Sequence, residues 1–120
     1  MRNLMLFAFA LLLSVTVWAQ ANPCEAEGTA SAPECAQQAL KDAEAWVGRV
    51  FQRALASPHF PDKAALRRSQ QAWGEYADSE CRFESSGVKA GSAQDAQYRQ
   101  CMLALTSTRA KQLEGVLNQP

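Results

Sequence analysis

The chain has 120 residues, 48% apolar and 20% charged, with twelve basic and twelve acidic side chains and a formal net charge of +0. That length admits one domain. The balanced charge excludes the basic face that nucleic-acid binding requires and gives no electrostatic steering toward an anionic membrane surface.

At the N-terminus, Arg2 supplies a short positive region and residues 4–17 form an apolar run of 14 residues. Ala19-Gln20-Ala21 places small residues where a signal peptidase reads them. This pattern predicts a Sec-type signal peptide over residues 1–21, cleaved after Ala21. The run is shorter than the roughly 20 residues that span a bilayer, and no stop-transfer flank follows, so no stable membrane anchor is expected. Ala21-Asn22-Pro23, ahead of Cys24, lacks the pattern that precedes a lipidated cysteine. The expected mature domain covers residues 22–120 and is periplasmic or secreted from a bacterium. Without Arg2, eleven basic side chains face twelve acidic ones.

All four cysteines, Cys24, Cys35, Cys81 and Cys101, lie beyond the expected cleavage site. An even number in an oxidising compartment predicts two disulfides. Three pairings are open, and the sequence does not decide among them. Cys24–Cys35 and Cys81–Cys101 are favoured, the first tying an N-terminal arm to a helix start and the second clipping two antiparallel helices across their loop. Closing a loop of about 20 residues constrains the unfolded chain by roughly 3 kcal/mol. No Cys-x-x-Cys pair is present, so neither a structural zinc site nor a thioredoxin-type motif is expected, and no metal or cofactor is implied.

Residues 22–30 are polar and carry no periodic face. Ser31-Ala32-Pro33-Glu34 fits a capping box. Beyond it, Ala36, Leu40, Ala43, Val47, Val50 and Leu55 fall on or near one helical stripe, predicting a first helix over 32–56. Ser57-Pro58-His59-Phe60-Pro61 stops it, because proline and its preceding residue disfavour the helix. Asp62 is a natural N-cap for a second helix over 63–84, with Leu66, Trp73, Tyr76 and Phe83 as its buried stripe. A Ser/Gly loop over 85–91 follows. Ser92 then caps a third helix over 93–117, whose expected inner face carries Tyr98, Met102, Leu105, Leu113 and Val116. Strand alternation is lacking, so the expected fold is all-α, a small antiparallel three-helix bundle.

Few residues suggest chemistry. His59, the only histidine, sits in a loop with no nucleophile or second ligand to partner it. Asp78 and Glu80 lie two apart and do not share a helical face. Arg109 falls near the apolar stripe of the third helix, where a guanidinium needs a partner. An ion pair from Arg109 to Asp78 or Glu80 is expected across the second and third helices. Trp73 and Tyr76 read as core aromatics. Trp46 borders the first stripe and is expected to be partly exposed, a candidate partner contact. The Ser/Gly loop lacks phosphate-loop spacing and follows a helix rather than a strand. It reads as a connector or as a protruding recognition loop with Lys89 at its tip. No enzyme is expected.

Gln70-Gln71-Ala72-Trp73, followed by Tyr76, Asp78, Glu80 and Cys81, resembles the Ala-Gln-x-Ala-Trp-x-x-Tyr-Arg-Asp-x-x-Cys block of the DUF1311 family, which includes lysozyme inhibitor LprI N-terminal domains. Gly91-Ser92, Cys101, Leu105-Thr106, Arg109 and Leu113 resemble its second block, and Cys24 and Cys35 match its two N-terminal cysteines. The chain departs from the family at Ala77, where arginine is usual, at Ala45-Trp46, which replaces a Leu-Asn signature, and in having one glycine before Ser92. The resemblance implies a protein partner of lysozyme type and an inhibitor that occludes a cleft by a surface or loop. The alternative is a structural or interaction module of the bacterial cell envelope without inhibitory activity.

Overall fold

The computed structural model describes residues 33–119, which form three helices and no strand: α1 (Pro33–Ala56), α2 (Lys63–Ser85) and α3 (Ser92–Leu117). Pro33 occupies the first turn of α1, where its missing N–H loses no hydrogen bond. Ser31 of the expected capping box lies outside the described residues. At the other end, the Lys63 ammonium donates to the carbonyls of Ala54 (3.4 Å) and Ser57, a second donor for acceptors that also take the Ser57 and Phe60 N–H groups. Asp62 caps α2, its Oδ1 accepting from the Ala65 N–H at 2.8 Å. The N-cap of α3 is Gly91 with no side-chain cap bond, and Ser92 is the first helical residue rather than the cap.

The three helices are held through α3. It packs along both α1 and α2, whereas α1 and α2 scarcely meet. A helix covered on two sides needs apolar residues on two sides, and α3 buries Cys101, Thr106, Ala110 and Leu113. The single face expected from the sequence does not describe it, since Val116 is 43% exposed.

The apolar core lies at the end of the α1–α2 turn. Val47, Val50, Ala54, Leu66, Ala110 and Leu113 form it, and Trp46, Phe51, Leu55, Phe60 and Leu117 pack around its edge. The opposite end is held covalently. Cys81 and Cys101, both buried, form a disulfide with Cα atoms 5.5 Å apart. One expected bridge is therefore present. The other falls on Cys24, outside the described residues, although Cys35 is not a free thiol. No described helix is long and apolar enough to cross a membrane.

Candidate functional site

The connection over 86–91 stands at the disulfide end and is internally tied. The Ser86 N–H donates to the Phe83 carbonyl and the Val88 N–H to the Ser85 carbonyl, both at 3.1 Å. Gln94 reaches back from the first turn of α3 and donates through Nε2 to the carbonyls of Ser85 (3.2 Å) and Val88 (3.5 Å). Gly91 closes the loop at φ 122° and ψ −154°, a conformation that side chains strain, although nothing crowds the space where its Cβ would sit. Backbone permissiveness, not room, is why glycine stands there. Lys89 is exposed on this braced loop. Its bracing by Gln94 had no signal in the sequence, since a glutamine two residues into a helix ordinarily faces water.

Below the loop, three polar side chains link α2 to α3. The Tyr98 hydroxyl donates to Asp78 Oδ1 at 2.6 Å, and Arg82 Nε donates to Asp78 Oδ2 at 2.9 Å. The Arg82 guanidinium also stands 5.6 Å from the Tyr98 ring centroid, within cation–π range. A polar groove of about 360 Å³ opens here, lined by Arg82, Ser85, Gln94, Asp95 and Tyr98.

The hydrogen bonds from Arg82 and Tyr98 hold the Asp78 carboxyl below its ordinary value of 3.8. The same bond to Asp78, with some burial, raises the Tyr98 phenol above 10.0. Each shift has its own sign. The depressed Asp78 contributes stability above the unfolded carboxylate pKa and loses it as pH falls through the lower folded value. The raised Tyr98 contributes below the unfolded phenol pKa and loses it as pH rises through the folded value. Asp78→Asn is therefore expected to bring the Tyr98 transition down toward 10.0, read by phenolate absorbance during alkaline titration. An unmoved transition would mean that the carboxylate does not hold the phenol.

Arg109 corrects an expectation. Its Nε donates to Gln70 Oε1 at 3.0 Å and its Nη2 to Ser69 Oγ at 3.1 Å. The expected carboxylates are elsewhere: Asp78 is engaged by Arg82 and Tyr98, and Glu80 forms no ion pair among the described residues. The antiparallel register explains this. The Cys81–Cys101 and Asp78–Tyr98 pairs set Asp78 near the loop end of α3, so residue 109 falls opposite 69 and 70. Arg109 forms one rim of a mainly apolar groove of about 420 Å³ between the α1–α2 turn and α3. His59 is exposed on the same groove.

The aromatic assignments divide. Trp73 is half-buried, but Tyr76 is 55% exposed and Phe83 is 73% exposed, so Tyr76 is not a core residue. The face of α2 that meets α3 instead carries Leu66, Ala77, Cys81 and Ser85. Tyr76 and Phe83 are seven residues apart and share an outward face. Trp46 is half-buried, with Nε1 donating to Glu114 Oε1 at 3.1 Å. Arg53 approaches the same oxygen at 3.6 Å. Trp46 therefore ties α1 to α3.

A family model described as lysozyme inhibitor LprI matches residues 20–113. A protein of Rhizobium meliloti (strain 1021), described as uncharacterized protein R02472, is 24% identical over 128 residues, covering 92% of this chain and 92% of that protein. No solved structure matches the chain.

Proposed function

The chain belongs to the lysozyme inhibitor LprI family, and from that premise we propose that it is an exported protein-binding domain, not an enzyme, that inhibits a lysozyme-type glycosidase by occlusion. The match over residues 20–113 carries this reading. Export follows from the signal peptide proposed over residues 1–21, which delivers the domain to the periplasm or the exterior. The Cys81–Cys101 bridge and the proposed Cys24–Cys35 bridge both suit that compartment.

Glycosidases of this class act through two carboxyl groups in a cleft, one of them a general acid and the other a nucleophile or base. An inhibitor needs only to fill that cleft and present a cation to those acids. The α2–α3 loop supports such a role. It carries Lys89 exposed, it is tied by Gln94, and it stands over the Cys81–Cys101 clip. A loop already ordered loses less entropy on binding.

The test is a lysis assay with purified protein and several lysozymes. Stoichiometric excess is expected to slow at least one of them. Lys89→Glu, which sets a carboxylate against the acids of the cleft, is expected to weaken inhibition by about tenfold or more. Unaltered lysis by every lysozyme tried would remove the inhibitor reading, and full potency in Lys89→Glu would remove the loop from it.

The exposed pair Tyr76 and Phe83 favours a second reading, an envelope interaction module that binds through α2, because aromatic side chains dominate interface hot spots. In that case Tyr76→Ala with Phe83→Ala abolishes partner capture from envelope extracts while Lys89→Glu does not.

A further inference from the structure

The groove at the end opposite the loop has a chemistry that occlusion of a lysozyme does not use. Its walls are the α1–α2 turn, the first turns of α2 and the last turns of α3, and its apolar surface comes from Phe60, Leu66, Leu113 and Val116. Its cation is Arg109, which has no ion pair among the described residues, while the carboxylate on its lining, Asp62, is taken up in capping α2 through the Ala65 N–H. A guanidinium carries five N–H donors. Nε and Nη2 are held by the neutral oxygens of Gln70 and Ser69, which leaves Nη1 without an acceptor among the described residues. Burial alone lowers the pKa of this group, so it is partly stripped of water with no anion in compensation. Gln70 and Ser69 orient the fork, and neither neutralises it.

We propose that this groove binds a small amphipathic monocarboxylate, with the carboxylate on Arg109 and a medium-length alkyl body along Phe60, Leu66, Leu113 and Val116. Charge complementarity chooses the head group, since a planar guanidinium with open donors matches a carboxylate. The walls choose the body. On the α2 and α3 sides the backbone N–H and C=O groups are bonded within the helices, so an extended peptide lying along them would leave its own main chain unpaired. A saturated chain has no such requirement. The volume, about 420 Å³, sits at the lower end of the range of small-ligand sites, roughly 300–1,000 Å³.

Octanoate and octanol separate head from body, and the readout is the amide NMR spectrum of the purified protein. Octanoate is expected to shift the signals of Ser69, Gln70 and Leu113 saturably, and octanol to bind about tenfold or more weakly. Arg109→Met is expected to reduce octanoate to the level of octanol. Val116 is 43% exposed, so Val116→Glu leaves the fold intact and places a competing carboxylate in the groove; it is expected to abolish octanoate binding even if Arg109→Met fails to fold. Equal binding of octanoate and octanol, no saturable shift at millimolar octanoate, or undiminished binding in Val116→Glu would overturn the proposal. None of these readouts involves a lysozyme, so loss of the inhibitor reading would leave this one standing.

Discussion

Replacing Cys81 and Cys101 together by alanine is expected to destabilise the protein by about 3 kcal/mol, the loop-closure value for a cross-link of roughly this span. The two residues are separated by 20 positions, and both lie inside the α2–α3 contact. Alanine keeps the site apolar and adds no buried hydroxyl that would need a partner, so the measured loss reports the cross-link with only a small packing contribution. For a domain of about 100 residues the melting temperature should fall by roughly 12–24 °C, read by circular dichroism against the oxidised parent. The position of the clip makes a further, local demand. The main apolar cluster lies at the other end of the molecule, so without the disulfide the loop end retains mainly the Asp78–Tyr98 link and the Gln94 contacts. Hydrogen exchange at Ser86 and Val88 should accelerate well before exchange at Val50 and Ala110, because the weaker end opens on its own. If the loop inhibits as proposed, that inhibition should weaken at temperatures where the helical signal is still complete. A double variant that melts within a degree or two of the parent would show that the clip carries no stability, and the loop would then have to be held by its hydrogen bonds and packing alone.

The outline of this fold was legible because its punctuation is chemical. Two prolines stop α1, Asp62 caps α2 through its own carboxylate, and a glycine at positive φ separates α2 from α3. The inner faces were harder to read, for a physical reason. Their spacing along α2 with Leu66 and Trp73 put Tyr76 and Phe83 on the inner stripe, but the α2–α3 contact is close, with Cα atoms 5.5 Å apart at the disulfide, and close contacts take small residues. Ala77, Cys81 and Ser85 fill it, and the large rings are turned outward. Position 76 adjoins position 77, so the error is one step along the helix, which turns a side chain by about 100°. The third helix misled for the opposite reason: it serves two partners, so its apolar residues make no single stripe. Arg109 illustrates the limit of charge pairing as a guide. Its need for partners was readable, but the register that offers it Gln70 and Ser69 is set by a disulfide some distance along the helix. Trp46 was readable as a border residue, whereas its bond to Glu114 depends on a contact 68 positions away in the chain.

Leu113→Ala should be among the most damaging single substitutions, at about 2–5 kcal/mol for a buried leucine reduced to alanine. Leu113 is 5% exposed and shares a cluster with Val47, Val50 and Ala54 of α1 and Leu66 of α2. Its loss is therefore felt by both flanking helices at once. Because α1 and α2 scarcely touch one another, neither can recover through the other the contact it loses with α3, which places the expected value in the upper half of that range. Against a typical domain stability of about 5–15 kcal/mol, the denaturant midpoint should drop by a large fraction, with an unchanged slope as long as folding stays two-state. Tyr76→Ala is the paired measurement. It removes a larger side chain but from a surface 55% exposed, so its effect should stay within about 0.5 kcal/mol. If Tyr76→Ala unfolded the protein as readily as Leu113→Ala, the inner face of α2 would be the aromatic one after all, and α3 would no longer be the helix on which the other two depend.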